Sequence, residues 1–144
     1  MTLQAAMEFV ATMCCALFAG AAIYVNAVEH PARMSCGVDV ALAEWAPSYK
    51  RGTCMQAPLA LIGFASAVAA WLAGASVWWL VGGLMLGFVV PFTFVVIMPT
   101  NKRLASARGM GSDEARTLLN RWNRLHAVRS ICSLVALVIF LFAR

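Results

Sequence analysis

Two histidines are the residues of this sequence best suited to proton transfer or redox chemistry near neutral pH. His30 lies in the stretch NAVEHPARM, directly after Glu29 and before Pro31, and His126 lies in RWNRLHAVRS. Each histidine stands where a long apolar run meets polar sequence. An imidazole at such a border can act as a general base, ligate a metal or haem, or simply satisfy a helix end.

Polar and aromatic side chains accompany both histidines. Trp122, His126 and Arg129 recur at helical spacing and share one face, and Asn26, Glu29 and His30 share a face of the first helix by the same rule. If both faces point inward, they border one cavity at one end of the molecule. The candidate catalytic residues are His30, His126, Arg129, Asn101 and Glu29, and the candidate substrate-binding residues are Trp122, Asn123, Trp45, Tyr49 and Asn26.

Arg129 lies about one helical turn inside an apolar run, where an unpaired charge is costly. We expect it to face the cavity and to pair with Glu29. The alternative is that the side chain extends to the interface between lipid and water.

The elements that carry these residues are predicted to be membrane-spanning helices. The chain has 144 residues, of which 62% are hydrophobic and 12% charged, and its mean hydropathy is +0.81. Apolar runs at about 3–28, 55–73, 76–98 and 125–143 are each long enough to cross a hydrocarbon core of about 30 Å. The first run lacks the basic start of a secretory signal peptide, so we expect it to be retained. The sequence predicts an all-α protein, an integral membrane antiparallel four-helix bundle forming a single domain over residues 1–144.

Local signals predict where the helices begin and end. Pro31 should end the first helix at His30, and Pro47 should follow a short interfacial helix. Pro99 should mark the end of the third span. Ser112 is the predicted N-cap of a last helix that extends from about residue 113 through the fourth span. A tight turn at Gly74 should join the second and third spans.

Basic residues predict the orientation in the membrane. Nine of the eleven lie in the segments 29–54 and 99–124: Arg33, Lys50, Arg51, Lys102, Arg103, Arg108, Arg116, Arg121 and Arg124. Arg144 is the single basic residue on the opposite face. Positively charged loops favour the cytoplasm, which predicts a multi-pass protein of the inner (plasma) membrane with both termini outside.

The same composition also limits the kinds of molecule that the protein is expected to bind. The basic residues are explained by topology, and no basic patch interleaved with aromatics favours nucleic acid. We expect the lipid bilayer as a partner. Glycine and alanine along the second and third spans also permit a homo-oligomer.

Four sequence blocks carry a resemblance to a known family. VNAVEHPARM, EWAPSYKRGTCMQAPLAL, MPTNKRL and RWNRLHAVRS resemble, in order and spacing, the anthrone oxygenase-like family of small four-span membrane proteins, whose bacterial members are mostly labelled as a domain of unknown function. The resemblance implies a membrane oxygenase or oxidoreductase with a hydrophobic aromatic small molecule as partner, an anthrone- or quinol-like substrate that it oxidises with molecular oxygen. It matches His30 to the histidine of the HP block, Asn101 to the PTN block, and His126 and Arg129 to the W-x-x-L-H-x-x-R block.

The sequence leaves the chemistry open between three alternatives. In the first, a histidine is the general base and an arginine or asparagine stabilises the developing oxyanion without a cofactor. In the second, His30 and His126 ligate a metal or haem as a redox centre. In the third, the bundle is a membrane ligand-binding or scaffold protein without catalysis.

Overall fold

The four apolar runs form four long helices. The structure, a computed structural model, describes residues 2–107 and 109–143, so Arg108 and Arg144, used above for orientation, lie outside the described residues. No strand occurs in that described part. The elements in chain order are α1 (Leu3–Tyr24), π1 (Val25–Glu29), α2 (His30–Ser35), α3 (Val38–Leu72), α4 (Val77–Phe92), π2 (Thr93–Ile97), α5 (Met98–Ala105) and α6 (Ser112–Phe142).

These elements join into four continuous helices that are long and apolar enough to cross a membrane. They run Leu3–Ser35, Val38–Leu72, Val77–Ala105 and Ser112–Phe142. The first packs on the second and fourth, and the third also packs on the second and fourth, so the four form a closed ring. The prediction of an all-α four-helix membrane bundle is confirmed.

The predicted ends at Pro31 and Pro99 are wrong. Both helices continue through their proline, and in both a five-residue π segment precedes the X-Pro pair. The His30 N–H bonds to the Val25 carbonyl, and the Met98 N–H bonds to the Thr93 carbonyl, each five residues back. A proline lacks an N–H and crowds the preceding turn of an α-helix. We attribute the π turns to this crowding, which a wider turn relieves without ending the helix.

The predicted separate interfacial helix before Pro47 is also wrong. α3 is a single helix of 35 residues with Pro47 and Pro58 inside it. Its first turns bury Ala41 and Trp45 in a cluster with α5 and α6. That packing offsets the hydrogen bond that a proline removes, because tertiary contacts rather than propensity supply most helix stability in proteins.

Two other helix boundaries lie close to the positions predicted from the sequence. Gly74 has φ 103° in the turn between α3 and α4, which confirms the predicted turn. α6 has 31 residues and confirms the long last helix, although Gly111 occupies the N-cap and Ser112 is the first helical residue.

The central core is built from small residues around a few large ones. Phe18, Leu86 and Phe140 are almost fully buried, and the Trp79 ring stacks on Phe140 with centroids 4.9 Å apart. Buried alanines on α1, α3 and α6 fill the spaces between these side chains. Small residues permit close approach of helix backbones where hydrophobic burial gives no driving force between helices.

Gly83→Ala is expected to destabilise the bundle, since a Cβ at Gly83 would lie 2.8 Å from the Cβ of Ala67 on α3. Overpacking of this kind costs about 1–3 kcal/mol. The matched control is Gly20→Ala, where a Cβ meets nothing within 4 Å and where alanine is the better helix former. Denaturant unfolding of the detergent-solubilised variants measures both changes. Equal stability of the two variants would contradict the close packing of α3 on α4.

Candidate functional site

A cavity of about 440 Å³ lies between α1, α3 and α6, near the end of the bundle that carries both histidines. We call it the α1–α3–α6 cavity. Its lining residues are Ala21, Tyr24, Val25, Glu29, Glu44, Ser48, Tyr49, Arg51, Gly52, Thr53, Met55, Gln56, Trp122, His126 and Arg129. Five of the ten predicted site residues are among them: Glu29, Tyr49, Trp122, His126 and Arg129.

His126 and Trp122 form the part of the cavity wall that α6 contributes. His126 is 3% exposed, and its ring meets the Trp122 indole edge-on with centroids 5.0 Å apart. The His126 Nδ1 is buried and makes no hydrogen bond within the described part of the chain. Such a nitrogen is costly to bury unless a ligand or water satisfies it.

Arg129 lies one turn further along α6 and donates from Nη2 to the Gln56 Oε1 at 2.7 Å. Its guanidinium also lies over the Phe18 ring, 5.3 Å from the centroid. Arg129 therefore faces inward, as expected. The predicted pairing with Glu29 is wrong, because the Glu29 carboxylate pairs with Arg33 instead.

Glu29 belongs to a cluster with Arg33, Ser48 and Glu44 that sequence reasoning missed. We call this cluster the charged clamp. The Glu29 carboxylate accepts hydrogen bonds from Arg33, one turn along the same helix, and from Ser48 on α3. The Arg33 Nε lies 2.7 Å from the Glu44 Oε2, also on α3. The Arg33 guanidinium carbon lies 5.7 Å from the Trp122 ring centroid. The clamp thus connects the first helix to α3 and packs against the Trp122 indole of the cavity wall. The i, i+4 spacing of Glu29 and Arg33 is the sequence feature that could have predicted this ion pair.

Removal of both acids of this clamp, in Glu29→Ala with Glu44→Ala, is expected to destabilise the protein by about 3–5 kcal/mol. The reason is that the Arg33 side chain is 3% exposed and would lose both counter-charges. Glu114→Ala is the matched control, because the Arg103–Glu114 pair is more than half exposed and should contribute less than about 1 kcal/mol. Denaturant unfolding separates the two. Similar losses in both variants would mean that water screens Arg33 as well.

Three aromatic rings are packed in series beside the cavity. Trp45 stacks on Tyr49 with centroids 5.1 Å apart and nearly parallel planes, and it meets Trp122 edge-on at 6.0 Å. Trp45 is 1% exposed, so it supports Tyr49 and Trp122 from behind rather than lining the cavity itself. Tyr49 and Trp122, together with Tyr24 of α1, are therefore the aromatic side chains that line the cavity.

The other candidate residues lie outside the cavity wall. His30 has its Nε2 3.4 Å from the Asn120 Oδ1, and its ring centroid is 6.3 Å from that of Trp122. Asn101 is 3% exposed on α5, and neither its Nδ2 nor its Oδ1 has a hydrogen-bond partner within the described residues. Both side chains are buried near the end of the bundle without reaching the wall.

Asn26 and Asn123 bind each other across the interface between π1 and α6. The Asn26 Nδ2 donates to the Asn123 Oδ1 at 2.7 Å and to its carbonyl at 2.9 Å. The Ser130 hydroxyl donates to the Asn26 Oδ1 at 2.5 Å. These contacts hold α6 against the first helix and so position His126 and Arg129.

The described residues contain no cluster of three or more metal-ligating side chains. His30 and His126 lie against the same indole, and Glu29 is occupied by Arg33 and Ser48. The wall of the cavity presents the imidazole of His126 and the guanidinium of Arg129.

Comparison with known proteins gives the family. The family model described as anthrone oxygenase matches residues 45–139, a region that includes Tyr49, Trp122, His126 and Arg129. The chain belongs to the anthrone oxygenase family. The resemblance stated from the sequence blocks is confirmed, and the family relationship supports an oxygenase.

Three curated fungal proteins are similar to this member of the anthrone oxygenase family. Anthrone oxygenase ptaC of Pestalotiopsis fici (strain W106-1 / CGMCC3.15140) is 34% identical over 128 residues, covering 77% of the chain and 91% of the relative. Anthrone oxygenase AgnL2 of Paecilomyces divaricatus is 35% identical over 60 residues, covering 35% of the chain and 37% of the relative. Anthrone oxygenase tpcL of Aspergillus fumigatus is 44% identical over 55 residues, covering 35% and 34%. The chain thus spans little more than a third of the length of the last two. No solved structure matches the chain.

Proposed function

We propose that this protein is a membrane oxygenase that oxidises a flat, hydrophobic aromatic substrate of the anthrone or quinol class in the α1–α3–α6 cavity. The observation that carries the proposal is the convergence of His126, Arg129, Tyr49 and Trp122 on one wall, in a chain whose curated relatives are named anthrone oxygenases. A volume of about 440 Å³ suits a small organic ligand. Tyr49 and Trp122 supply stacking surfaces for a flat ring system.

An anthrone is a carbon acid, so proton removal from its central CH₂ produces an electron-rich anthrolate. In the proposed reaction His126 accepts this proton as general base. Arg129, held by Gln56, stabilises the negative charge that develops on oxygen. Electrons then pass from the anthrolate to dioxygen, and the balanced outcome is anthrone + O₂ → anthraquinone + H₂O.

Such a substrate dissolves in the bilayer, and the outer part of the cavity suits entry from lipid. Tyr24 and Met55 line the cavity and are 55% and 50% exposed. Both side chains are compatible with contact to lipid tails or to a hydrophobic ring. We propose that the substrate enters between α1 and α3 past these two residues.

We further propose that the protein lies in the inner membrane with the cavity at the cytoplasmic end, loops 29–54 and 99–124 in the cytoplasm and both termini outside. The basic residues of the two loops support this orientation. Cys36 and Cys54 lie in the first of these segments and are exposed.

A membrane-impermeant maleimide is therefore expected to label Cys36 and Cys54 in inverted inner-membrane vesicles and to leave intact spheroplasts unlabelled. The control is the double variant Cys36→Ser with Cys54→Ser, which should lose the labelling because Cys15 is buried and the partly buried Cys14 and Cys132 lie within the apolar membrane spans. Labelling of intact spheroplasts that disappears in the double variant would reverse the orientation.

The proposed activity is tested with purified protein in lipid nanodiscs and a panel of hydroxylated anthrones and quinols. An oxygen electrode and the anthraquinone absorbance follow the reaction, and empty nanodiscs correct for uncatalysed oxidation. We expect saturable turnover with one O₂ consumed for each anthrone converted. Substrate binding with a rate no faster than in empty nanodiscs would reject the oxygenase in favour of a ligand-binding protein.

A further inference from the structure

A second, smaller cavity of about 100 Å³ lies on the other side of α3, against α4 and π2. We call it the α3–α4 cavity. It shares four lining residues with the α1–α3–α6 cavity: Tyr49, Thr53, Gln56 and Arg129. The two cavities therefore meet at the hydrogen bond between Gln56 and Arg129.

The size and lining of the α3–α4 cavity suit a small apolar molecule. Away from the shared residues its wall includes Ala57, Ala60, Val89 and Met98, and the hydroxyl of Thr93 is occupied by the Val89 carbonyl at 2.6 Å. An apolar cavity of about 150 Å³ in a protein core stays dry and binds benzene or xenon. A cavity of about 100 Å³ is smaller than that. It excludes a three-ring substrate and admits a diatomic gas.

The outer edge of this cavity faces the region of lipid. Phe94, on π2, lines the cavity and is 65% exposed. Thr93 and Phe94 both belong to the π segment, so the widened turn before Pro99 forms part of the wall. Dioxygen is apolar and more soluble in hydrocarbon than in water, so a molecule at this edge is drawn from the bilayer.

We propose that the α3–α4 cavity is a dioxygen-binding site that supplies O₂ from the bilayer to Arg129 while the aromatic substrate occupies the α1–α3–α6 cavity. This inference rests on the proposed function. One electron passes from the anthrolate to O₂ and gives a carbon radical and superoxide, whose charge the Arg129 guanidinium stabilises. The pair combines to a carbon-bound peroxide anion, which takes up the proton held by His126. Loss of water from the hydroperoxide leaves the ketone, which balances the overall reaction.

Dioxygen is paramagnetic, so its site can be located without turnover from the relaxation of methyl groups. Ala60 and Val89 line the α3–α4 cavity and are 1% and 2% exposed, whereas Ala67 and Ala70 are equally buried and line neither cavity. In methyl-labelled protein under O₂ pressure we expect severalfold faster relaxation at Ala60 and Val89 than at the two control alanines. Ala57→Leu, which fills the cavity, should abolish the difference. Equal relaxation of the methyl groups of all four residues in the wild type would overturn the inference.

Steady-state kinetics can distinguish the proposed roles of the two cavities. Ala57→Leu is expected to raise the KM for O₂ severalfold with little change in the KM for the anthrone, while Ala21→Leu, which fills the larger cavity, should do the reverse. If Ala57→Leu does not assemble, Val90→Phe fills the same space. An unchanged KM for O₂ in a folded filled variant would overturn the dioxygen site and leave the oxygenase standing. Selective methyl relaxation in a protein that oxidises no anthrone would reject the oxygenase and support the gas-binding cavity.

Discussion

His126→Gln is expected to slow the conversion of anthrone to anthraquinone by a factor of about 10²–10⁴, the usual contribution of a general base. Glutamine keeps a polar side chain of similar reach but cannot accept the substrate proton. His126 lines the α1–α3–α6 cavity, and its ring is held against Trp122. The measurement is anthraquinone formation by purified protein in nanodiscs at saturating O₂, with unfolding in denaturant to establish that the bundle is intact.

His30→Gln is the matched control for this substitution. The His30 ring is also buried and also lies near Trp122, but it does not line the cavity. We expect the His30 variant to retain most of its turnover and to lose some stability through the contact with Asn120. Equal loss of turnover in both variants would assign the two imidazoles to one shared centre. Full activity of His126→Gln would remove the proposed base.

Most of the fold was predictable because membrane helices are encoded in long apolar runs. The four spans, the turn at Gly74 and the long α6 follow from hydropathy and cap residues. The helix ends at Pro31 and Pro99 were not predictable from local rules. A π turn before each proline lets the helix continue, and that choice depends on packing between helices that sequence periodicity does not contain.

The candidate site was predictable in part for a related reason. Helical periodicity correctly grouped Trp122, His126 and Arg129 on one inward face. It could not identify Gln56 as the partner of Arg129, because that contact depends on how α3 rotates about its axis. Glu29 was assigned to the wrong arginine, since sequence reasoning favoured a contact between helices over Arg33 one turn away.

Asn26 and Asn123 illustrate the same limit. Both lie at the correct end of the bundle, but they satisfy each other rather than the cavity. In an apolar environment, paired amides are a stable arrangement between neighbouring helices. The position of a residue along the bundle was therefore predictable from sequence, whereas the direction of a polar side chain around the helix was decided by its partners.

Arg129→Met is expected to reduce turnover by a factor of about 10²–10³, the typical effect of removing one group that stabilises a developing oxyanion. Methionine fills similar space beside Phe18 but supplies neither charge nor hydrogen bond. Because this stabilisation is greater in the transition state than in the bound substrate, kcat should fall more than KM rises.

The control for charge is Arg129→Lys, and the control for position is Gln56→Ala. Lysine keeps the positive charge and should restore part of the rate, while Gln56→Ala leaves the guanidinium in place without its 2.7 Å partner and should cost less than Arg129→Met. Steady-state kinetics against both anthrone and O₂ separate these effects, since a residue that borders both cavities should affect both substrates. If Arg129→Met kept its kcat, another group on the cavity wall would have to stabilise the developing charge. Arg129 would then have no catalytic role at the point where the two cavities meet.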